Sequence, residues 1–165
     1  MAPTTLHDPV GALIQWLKDE DNDLWPANFT PIVTHFPQTS EAGQINEKSR
    51  LVVAVKSAGI GSGAGQLAMA RYRSIRIDAI ASAETDWQAW NLGLFMNEAI
   101  LSARGANLDT YDYDGITYDT KFVNLVQTGG PAPFDPVPFQ SRGTPGRGPD
   151  YRSVLYVYNV NFTTF

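Results

Sequence analysis

The chain has 165 residues and is most simply one domain, which at this length buries roughly two thirds of its unfolded surface without metals or disulfides. It contains no cysteine, which excludes disulfides, thiolate zinc sites and cysteine nucleophiles, and two histidines are too few for a histidine-rich metal site. The net charge of −5 argues against nonspecific binding to nucleic acid, because such binding depends on neutralising phosphates.

Neither a secretory signal nor a membrane span is expected. The first residues, MAPTTLHDP, have no basic start and no apolar run. No segment approaches the ~18 consecutive apolar residues that a membrane-spanning helix needs. We therefore expect a soluble protein, and the lack of cysteine fits a chain kept in a reducing cytosol.

Asp8 and Pro9 predict the start of a first helix, with an oxygen-bearing cap followed by proline at the first helical position. One apolar stripe follows, formed by Val10, Leu13, Ile14 and Leu17. The helix is expected to stop in the polar run 18–23. Acidic residues there would face the negative end of the helix dipole, which favours a solvated loop.

Segments rich in β-branched and aromatic residues predict strands. They are Phe29 to Phe36, Leu51 to Lys56, Arg71 to Ala81, Ile116 to Gln127 and Val154 to Phe162. In the last of these, every second residue is apolar, and the opposite face becomes polar towards the end of the chain. This strand is expected to be half buried.

The glycine-rich segment 59–66 satisfies the loose G-x-G-x-x-G/A pattern of dinucleotide-binding proteins. Asp78 follows about twenty residues later, where a ribose-binding acid is expected. A dinucleotide-binding turn, however, opens a crossover helix, and only residues 66–70 remain before the next strand. The segment is therefore interpreted as a flexible connection between two adjacent antiparallel strands, with Asp78 on a strand.

A second helix is expected at about Glu84 to Arg104, with Ser82 as its cap and Gly105 at its end. One of its faces carries Ala89, Leu92, Met96, Ile100 and Ala103. The opposite face carries Trp87, Trp90, Leu94 and Leu101. A surface helix of a monomer needs only one apolar face. The second face is therefore expected to contact either the first helix of the same chain or a neighbouring subunit.

Asp112, Asp114 and Gly115 resemble part of a calcium-binding loop. Thr110 and Lys121 stand at the first and twelfth positions, where that loop needs oxygen ligands from an acid and a bidentate glutamate. The segment is interpreted instead as a tight turn before the next strand.

Residues for catalysis or phosphate binding are sparse. No Gly-x-Ser-x-Gly motif occurs, so a serine hydrolase would need distant residues to converge, with His35 as the plausible base. Arg71, Arg73 and Arg76 lie on one predicted strand and could touch phosphates, but pairing with neighbouring acids is favoured in an acidic chain. We expect no enzymatic activity and predict no cofactor or metal.

Residues Gly129 to Asp150 are too rich in proline and glycine for regular structure. They are expected to form a long extended arm between the last two strands, and such long segments are generally functional or disordered. Phe134 and Phe139 offer apolar anchors, so an arm that docks on a surface is favoured over a free linker.

The succession of elements resembles the tail-terminator, or tail-completion, proteins of long-tailed bacteriophages over most of the chain. The resemblance depends on the strand RYRSIRIDAIA with the helix SAETDWQAWNLGLFMNEAIL, and on GGPAPFDPVPF before the terminal strand YRSVLYVYNVNF. The chain departs from the usual pattern in a longer arm, Phe139 to Asp150, and in a glycine-rich loop where many relatives are shorter.

The resemblance implies an α/β (α+β) fold of one domain, residues 1–165, with two helices packed on one face of a mixed, mostly antiparallel sheet. It implies a hexameric ring at the head-proximal end of a tail, which stops polymerisation of the tail-tube protein and meets the head–tail connector or stopper protein. DNA would pass through an acidic lumen without specific binding, because like charge repels phosphate. The protein would assemble in the bacterial host cytoplasm and reside in the virion neck, away from membranes.

Contacts within the ring or with partners are assigned to the second apolar helix face, the arm and the glycine-rich segment. The residues are Trp87, Trp90, Leu94, Leu101, Phe134, Phe139, Arg142, Arg147, Gly61 and Gly63. Two alternatives stay open: a head-completion or neck adaptor that contacts the portal, and a small nucleotide-binding enzyme centred on segment 59–66.

Overall fold

The computed structural model describes residues 9–35, 51–60, 72–113, 116–133 and 152–164. In chain order the elements are α1 (Pro9–Lys18), a short 3-10 helix (Glu20–Asn22), β1 (Ile32–His35), β2 (Val52–Ile60), β3 (Tyr72–Ala83), α2 (Asp86–Leu101), β4 (Asn107–Tyr113), β5 (Ile116–Pro133) and β6 (Arg152–Thr164).

The strands form one six-stranded sheet in the order β1-β2-β3-β6-β5-β4. β1 and β2 are parallel, and every other neighbouring pair is antiparallel. Residues of both helices share one buried cluster with the inward side chains of the sheet, so the helices lie on the same face. The expected fold class, a mixed and mostly antiparallel sheet with two helices on one face, is confirmed.

Helix α1 contacts β1 and β4, which are the two opposite edges of the sheet. A flat sheet could not bring both edges to one helix of ten residues, so the sheet curves into a half-barrel with α1 across its concave side. The predicted stripe of α1 faces this core: Val10, Leu13, Ile14 and Leu17 are all buried. Burial of each such side chain contributes about 1.5–3 kcal/mol.

Helix α2 lies on β3 and β6, and Gly93 faces β6. A Cβ atom at Gly93 would stand 3.2 Å from Cε2 of Tyr156 and 3.6 Å from Cγ1 of Val154. The absence of a side chain at Gly93 therefore lets the helix sit directly on β6. The predicted core face is confirmed, since Ala89, Leu92, Met96, Ile100 and Ala103 are buried.

The start of α2 differs from the sequence prediction. Thr85 is the N-cap, and its hydroxyl accepts a hydrogen bond from the Gln88 amide at 3.2 Å. The prediction that Ser82 caps the helix is wrong, because β3 continues to Ala83 and the Ser82 hydroxyl hydrogen-bonds that of Ser153 on β6 at 2.7 Å. At the other end, Gly105 has a φ of 74° and its amide donates to the Phe122 carbonyl, which fits its predicted role in ending the helical region.

The strands extend beyond, or fall short of, the predicted boundaries in several places. β4 was not predicted, and β1 occupies only four residues of the segment Phe29 to Phe36. β5 runs on to Pro133, so the first five residues of the predicted arm, 129–133, are paired with β6. That boundary was wrong because two bulges in β5 accommodate the glycines and prolines within the ladder.

The glycine-rich segment connects β2 and β3, which are adjacent and antiparallel as predicted. β2 continues to Ile60, so residues 59 and 60 belong to the strand and not to the loop. Asp78 lies on β3, also as predicted. β4 and β5 are paired as far as Tyr113 and Ile116. The two residues between them, which were predicted to form a tight turn, therefore connect adjacent strands, and they lie outside the described residues.

Two tyrosines of β6 occupy the centre of the core with their rings stacked, 6.4 Å between centroids. The Tyr158 hydroxyl donates to Oδ1 of Asn97 on α2 at 2.7 Å. The Tyr156 hydroxyl is buried and has no hydrogen-bond partner within the described part of the chain. Burial raises the pKa of both phenols, so both stay protonated at neutral pH.

Replacing Gly93 with valine should separate α2 from β6. The new side chain overlaps the space of Tyr156, so we expect the Gly93→Val variant to lose about 1–3 kcal/mol in free energy of unfolding, measured by urea denaturation. Leu94→Val is the matched control, because it places valine one residue further on the exposed face; its change should stay within about 0.5 kcal/mol. Equal losses in the two variants would contradict the close approach at Gly93.

Removing each phenol oxygen should have opposite effects at the two neighbouring tyrosines. Tyr158→Phe breaks the hydrogen bond to Asn97 and should cost about 1–2 kcal/mol in free energy of unfolding. Tyr156→Phe removes a buried hydroxyl without a described partner and should be neutral or stabilising by up to about 1 kcal/mol. A loss at Tyr156→Phe equal to that at Tyr158→Phe would show that the Tyr156 hydroxyl is satisfied.

Candidate subunit interface

The outward face of α2 exposes large apolar side chains. Trp87, Trp90 and Leu94 are 66%, 39% and 53% exposed. Their spacing of three and then four residues places them on one face of the helix, opposite the residues that pack on the sheet. These three residues are called the α2 outer stripe below.

The first helix does not cover this stripe. α1 lies mainly against β1, β2 and β4 and also contacts α2; the Trp16 indole donates a hydrogen bond to the Ser102 hydroxyl, 3.3 Å away and just beyond the end of α2. The interpretation that α1 buries the second face of α2 is therefore wrong for Trp87, Trp90 and Leu94. Leu101, the fourth residue assigned to that face, is half-buried and packs against the core.

The four tryptophans of the chain fall into two pairs. The indoles of Trp16 and Trp25 are half-buried and donate hydrogen bonds, to the Ser102 hydroxyl at 3.3 Å and to the Leu17 carbonyl at 2.8 Å. Among the described residues, the indoles of Trp87 and Trp90 have no such acceptor and are exposed. Tryptophan is enriched at protein–protein contacts, where its ring supplies a large apolar area and its indole N–H supplies a hydrogen-bond donor.

Trp87 is held in place by contacts within the chain. The ring of buried Phe29 lies 5.8 Å from that of Trp87 and 5.1 Å from that of Phe95, both tilted. The Asn91 side-chain amide donates to the Trp87 backbone carbonyl at 2.7 Å, which supports the helix backbone there. The ring contact with Phe29 restricts the Trp87 side chain, and a side chain restricted before binding loses less conformational entropy when a partner covers it.

A second apolar patch lies on β5, on the sheet face opposite the helices. Val123 and Val126 are 38% and 42% exposed. A bulge between Phe122 and Asn124 sets two residues of β5 opposite one of β6, so that both Phe122 and Leu125 face the core and Val126, like Val123, faces outward. Val123 and Val126 are called the β5 outer patch below.

The sheet face that holds the β5 outer patch is not uniformly open. At β2 and β3 the same face is buried, as shown by Val52, Ala54 and Ile80. Among the residues whose burial is described, the large hydrophobic side chains exposed on this face are Val123 and Val126 of β5.

The β5 outer patch was missed by sequence reasoning. Strict alternation along KFVNLVQ places Phe122, Asn124 and Val126 on one face, and the sequence carries no sign of the bulge that breaks this register. The nearest sign of the bulge in the sequence is that Phe122 and Leu125, which are three residues apart, are both strongly apolar.

Charged groups differ between the two apolar surfaces. Glu98 is exposed and follows Leu94 by four residues, so it lies on the same face of α2 as the outer stripe. Glu84 and Asp86 are exposed where α2 begins. Lys121 precedes Val123 by two residues and lies on the outward face of β5, since its neighbour Phe122 points into the core.

Arg76 forms the predicted acid pair. Its Nε lies 3.2 Å from Oδ1 of Asp78, two residues along β3. Asp78 stands at the ribose-binding position of the dinucleotide pattern. In the structure it lies on β3 and its carboxylate forms an ion pair with Arg76. Arg71 and the side chain of Arg73 lie outside the described residues.

The remaining residues assigned to contacts lie outside the described residues. They are Phe134, Phe139, Arg142, Arg147, Gly61 and Gly63.

Two open clefts, of about 430 and 570 Å³, flank the acidic turn after α1. Their shared lining residues are Lys18 and Asp19, and the Asp19 carboxylate already accepts a hydrogen bond from the Asp21 amide at 3.0 Å. Across the described ranges, no group of three or more His, Asp or Glu is placed to hold a metal ion. Nor does any helix in these ranges have the length and apolar character to cross a membrane.

Comparison of the sequence with protein-family models and with curated proteins gives no match. The candidate interface therefore rests on the geometry of the chain itself.

The α2 outer stripe should tolerate charge without loss of the fold. In the double variant Trp90→Lys and Leu94→Lys both new side chains enter solvent, so we expect a change in free energy of unfolding below about 1 kcal/mol by urea denaturation. Leu92→Lys, on the buried face of the same helix, is the control and should prevent folding. Unfolding of the double variant to the same extent would place the stripe in the core of the subunit.

Proposed function

We propose that this chain is a structural subunit of a phage virion neck, a tail terminator. Six copies form a ring at the head-proximal end of the tail, end polymerisation of the tail tube, and join the tail to the head connector. The observation that supports this best is the α2 outer stripe, which leaves two tryptophans and a leucine exposed on the face of the helix opposite the core. Exposed apolar patches of this kind mark interaction sites.

The sequence resemblance directs this general inference towards a tail ring. The strand and helix that carry the resemblance, RYRSIRIDAIA and SAETDWQAWNLGLFMNEAIL, correspond to β3 and α2. The stripe therefore lies on one of the two segments by which the chain resembles tail terminators. The mixed sheet with two helices on one face is also the fold that the resemblance implies.

A closed ring of identical subunits needs two different, complementary surfaces on each copy. The α2 outer stripe and the β5 outer patch are two such surfaces, and they lie on opposite faces of the sheet. Their presence on one subunit supports a ring over a simple two-fold dimer.

Passage of DNA requires a lumen to which phosphate does not adhere. The net charge of −5 and the exposed acids of the turn after α1, Asp19, Glu20, Asp21 and Asp23, favour repulsion of DNA. The proposed partners are thus other copies of this chain, the tail-tube protein and the head–tail connector or stopper, with DNA passing through without specific binding.

Native mass spectrometry of the purified protein, alone and mixed with tail tubes, tests the proposed function. We expect a hexamer, either in isolation or on the ends of tail tubes, and we expect the Trp90→Lys, Leu94→Lys variant to remain a folded monomer in both conditions, because buried lysines oppose the contact.

Other results would favour one of the alternatives or contradict the proposal. Hexamers that bind the portal and ignore tail tubes would indicate a head-completion adaptor. A monomer that does not assemble on tubes and captures a nucleotide would contradict the ring. Phage particles made without this chain should carry overlong tails, and tails of normal length would also count against the proposal.

A further inference from the structure

We infer that the α2 outer stripe of one copy docks on the β5 outer patch of a second copy, in a head-to-tail contact. This inference rests on the proposed function, because it takes the partner of the stripe to be the same chain. It goes further by naming both surfaces and by excluding a two-fold contact of stripe with stripe.

The exposed apolar residues define the two partners. Among the described residues, the large hydrophobic side chains that remain exposed are Trp87, Trp90, Leu94, Val123 and Val126. They fall into the two groups already described, one on the helix layer and one on the outward face of the sheet. The stripe offers two broad aromatic rings that protrude from a helix, whereas the patch offers short valines on a strand, so the surfaces differ in shape as well as in position.

Charge favours stripe against patch over either surface against itself. The stripe carries Glu98 on its own face and acidic residues at the start of α2, whereas the patch is adjacent to Lys121. A stripe-to-stripe contact would collect carboxylates from both copies in one interface. A head-to-tail contact brings opposite charges together, which selects the correct partner and orientation.

The direction of the two surfaces is consistent with repeated head-to-tail association. The stripe points away from the concave face, because the opposite side of α2 packs on β6. The patch points away from the convex face at β5, the neighbour of β6. Two different surfaces on opposite faces of one subunit allow head-to-tail association, which gives a closed ring where the rotation between successive copies closes.

Cross-linking of engineered cysteines tests the contact directly, since the natural chain has no cysteine. The variants are Leu94→Cys in the stripe and Val126→Cys in the patch, both at exposed positions. With a short bis-maleimide reagent, each variant alone should give no linked product, and an equal mixture should give linked dimers. A chain with both substitutions should give a ladder of covalent oligomers. Gln15→Cys, exposed on α1, mixed with Leu94→Cys is the control and should not link.

The outcomes separate the inference from the proposed function. Linked dimers of Leu94→Cys alone would show a two-fold stripe-to-stripe contact and would overturn the inference. An unlinked mixture in which native mass spectrometry still finds rings would overturn it as well, while leaving the ring proposal intact. Absence of any self-association, with or without tail tubes, would overturn both.

A charge exchange gives an independent readout of the same contact. Glu98→Lys and Lys121→Glu should each weaken self-association about two- to fivefold in sedimentation measurements, and the double variant should recover most of the loss. Recovery would require the two residues to meet across the interface. Losses that simply multiply in the double variant would show that they do not meet, and the inference would fall.

Discussion

Helix α2 carries apolar residues on both of its faces, but only the face that holds Gly93 can approach the sheet. At Gly93 the helix backbone comes so near Tyr156 that even one added carbon would be 3.2 Å from the ring. Turning the helix by half a turn would bring two indoles to this point, where there is no room for them. The packing of α2 on β6 therefore fixes Trp87, Trp90 and Leu94 on the outside of the subunit.

The curvature of the sheet explains why the subunit itself leaves the stripe uncovered. α1 is committed to the concave side, where it reaches both edge strands and buries its single apolar stripe. Phe29 contacts the Trp87 ring, but Trp87 stays 66% exposed. In the proposed assembly another molecule covers the stripe, and the oppositely charged surroundings of the β5 outer patch favour a second copy.

Features set by side-chain periodicity could be predicted from the sequence. The buried stripe of α1, the core face of α2 and the alternation of β6 follow from apolar spacing and were found as expected, whereas the second apolar face of α2 is left exposed at Trp87, Trp90 and Leu94. Features set by tertiary pairing could not. Ser82 reads as a helix cap but is held in β3 by the ladder with β6, and the polar strand β4 has weak strand propensity and forms beside β5. The bulge in β5, which lets Leu125 face the core and turns Val126 outward, has no recognisable pattern in the local sequence. For the candidate site, the α2 outer stripe could therefore be predicted from the sequence, whereas the β5 outer patch could not.

In the proposed assembly, another copy of the chain removes the α2 outer stripe from water. Hydroxyl-radical footprinting across a protein concentration series, read residue by residue by mass spectrometry, measures this most directly. We predict that oxidation of Trp87, Trp90 and Leu94 falls as the protein assembles, while oxidation of Trp25, which is half-buried by its own chain, stays constant. Unchanged oxidation of the stripe in fully assembled protein would contradict the account.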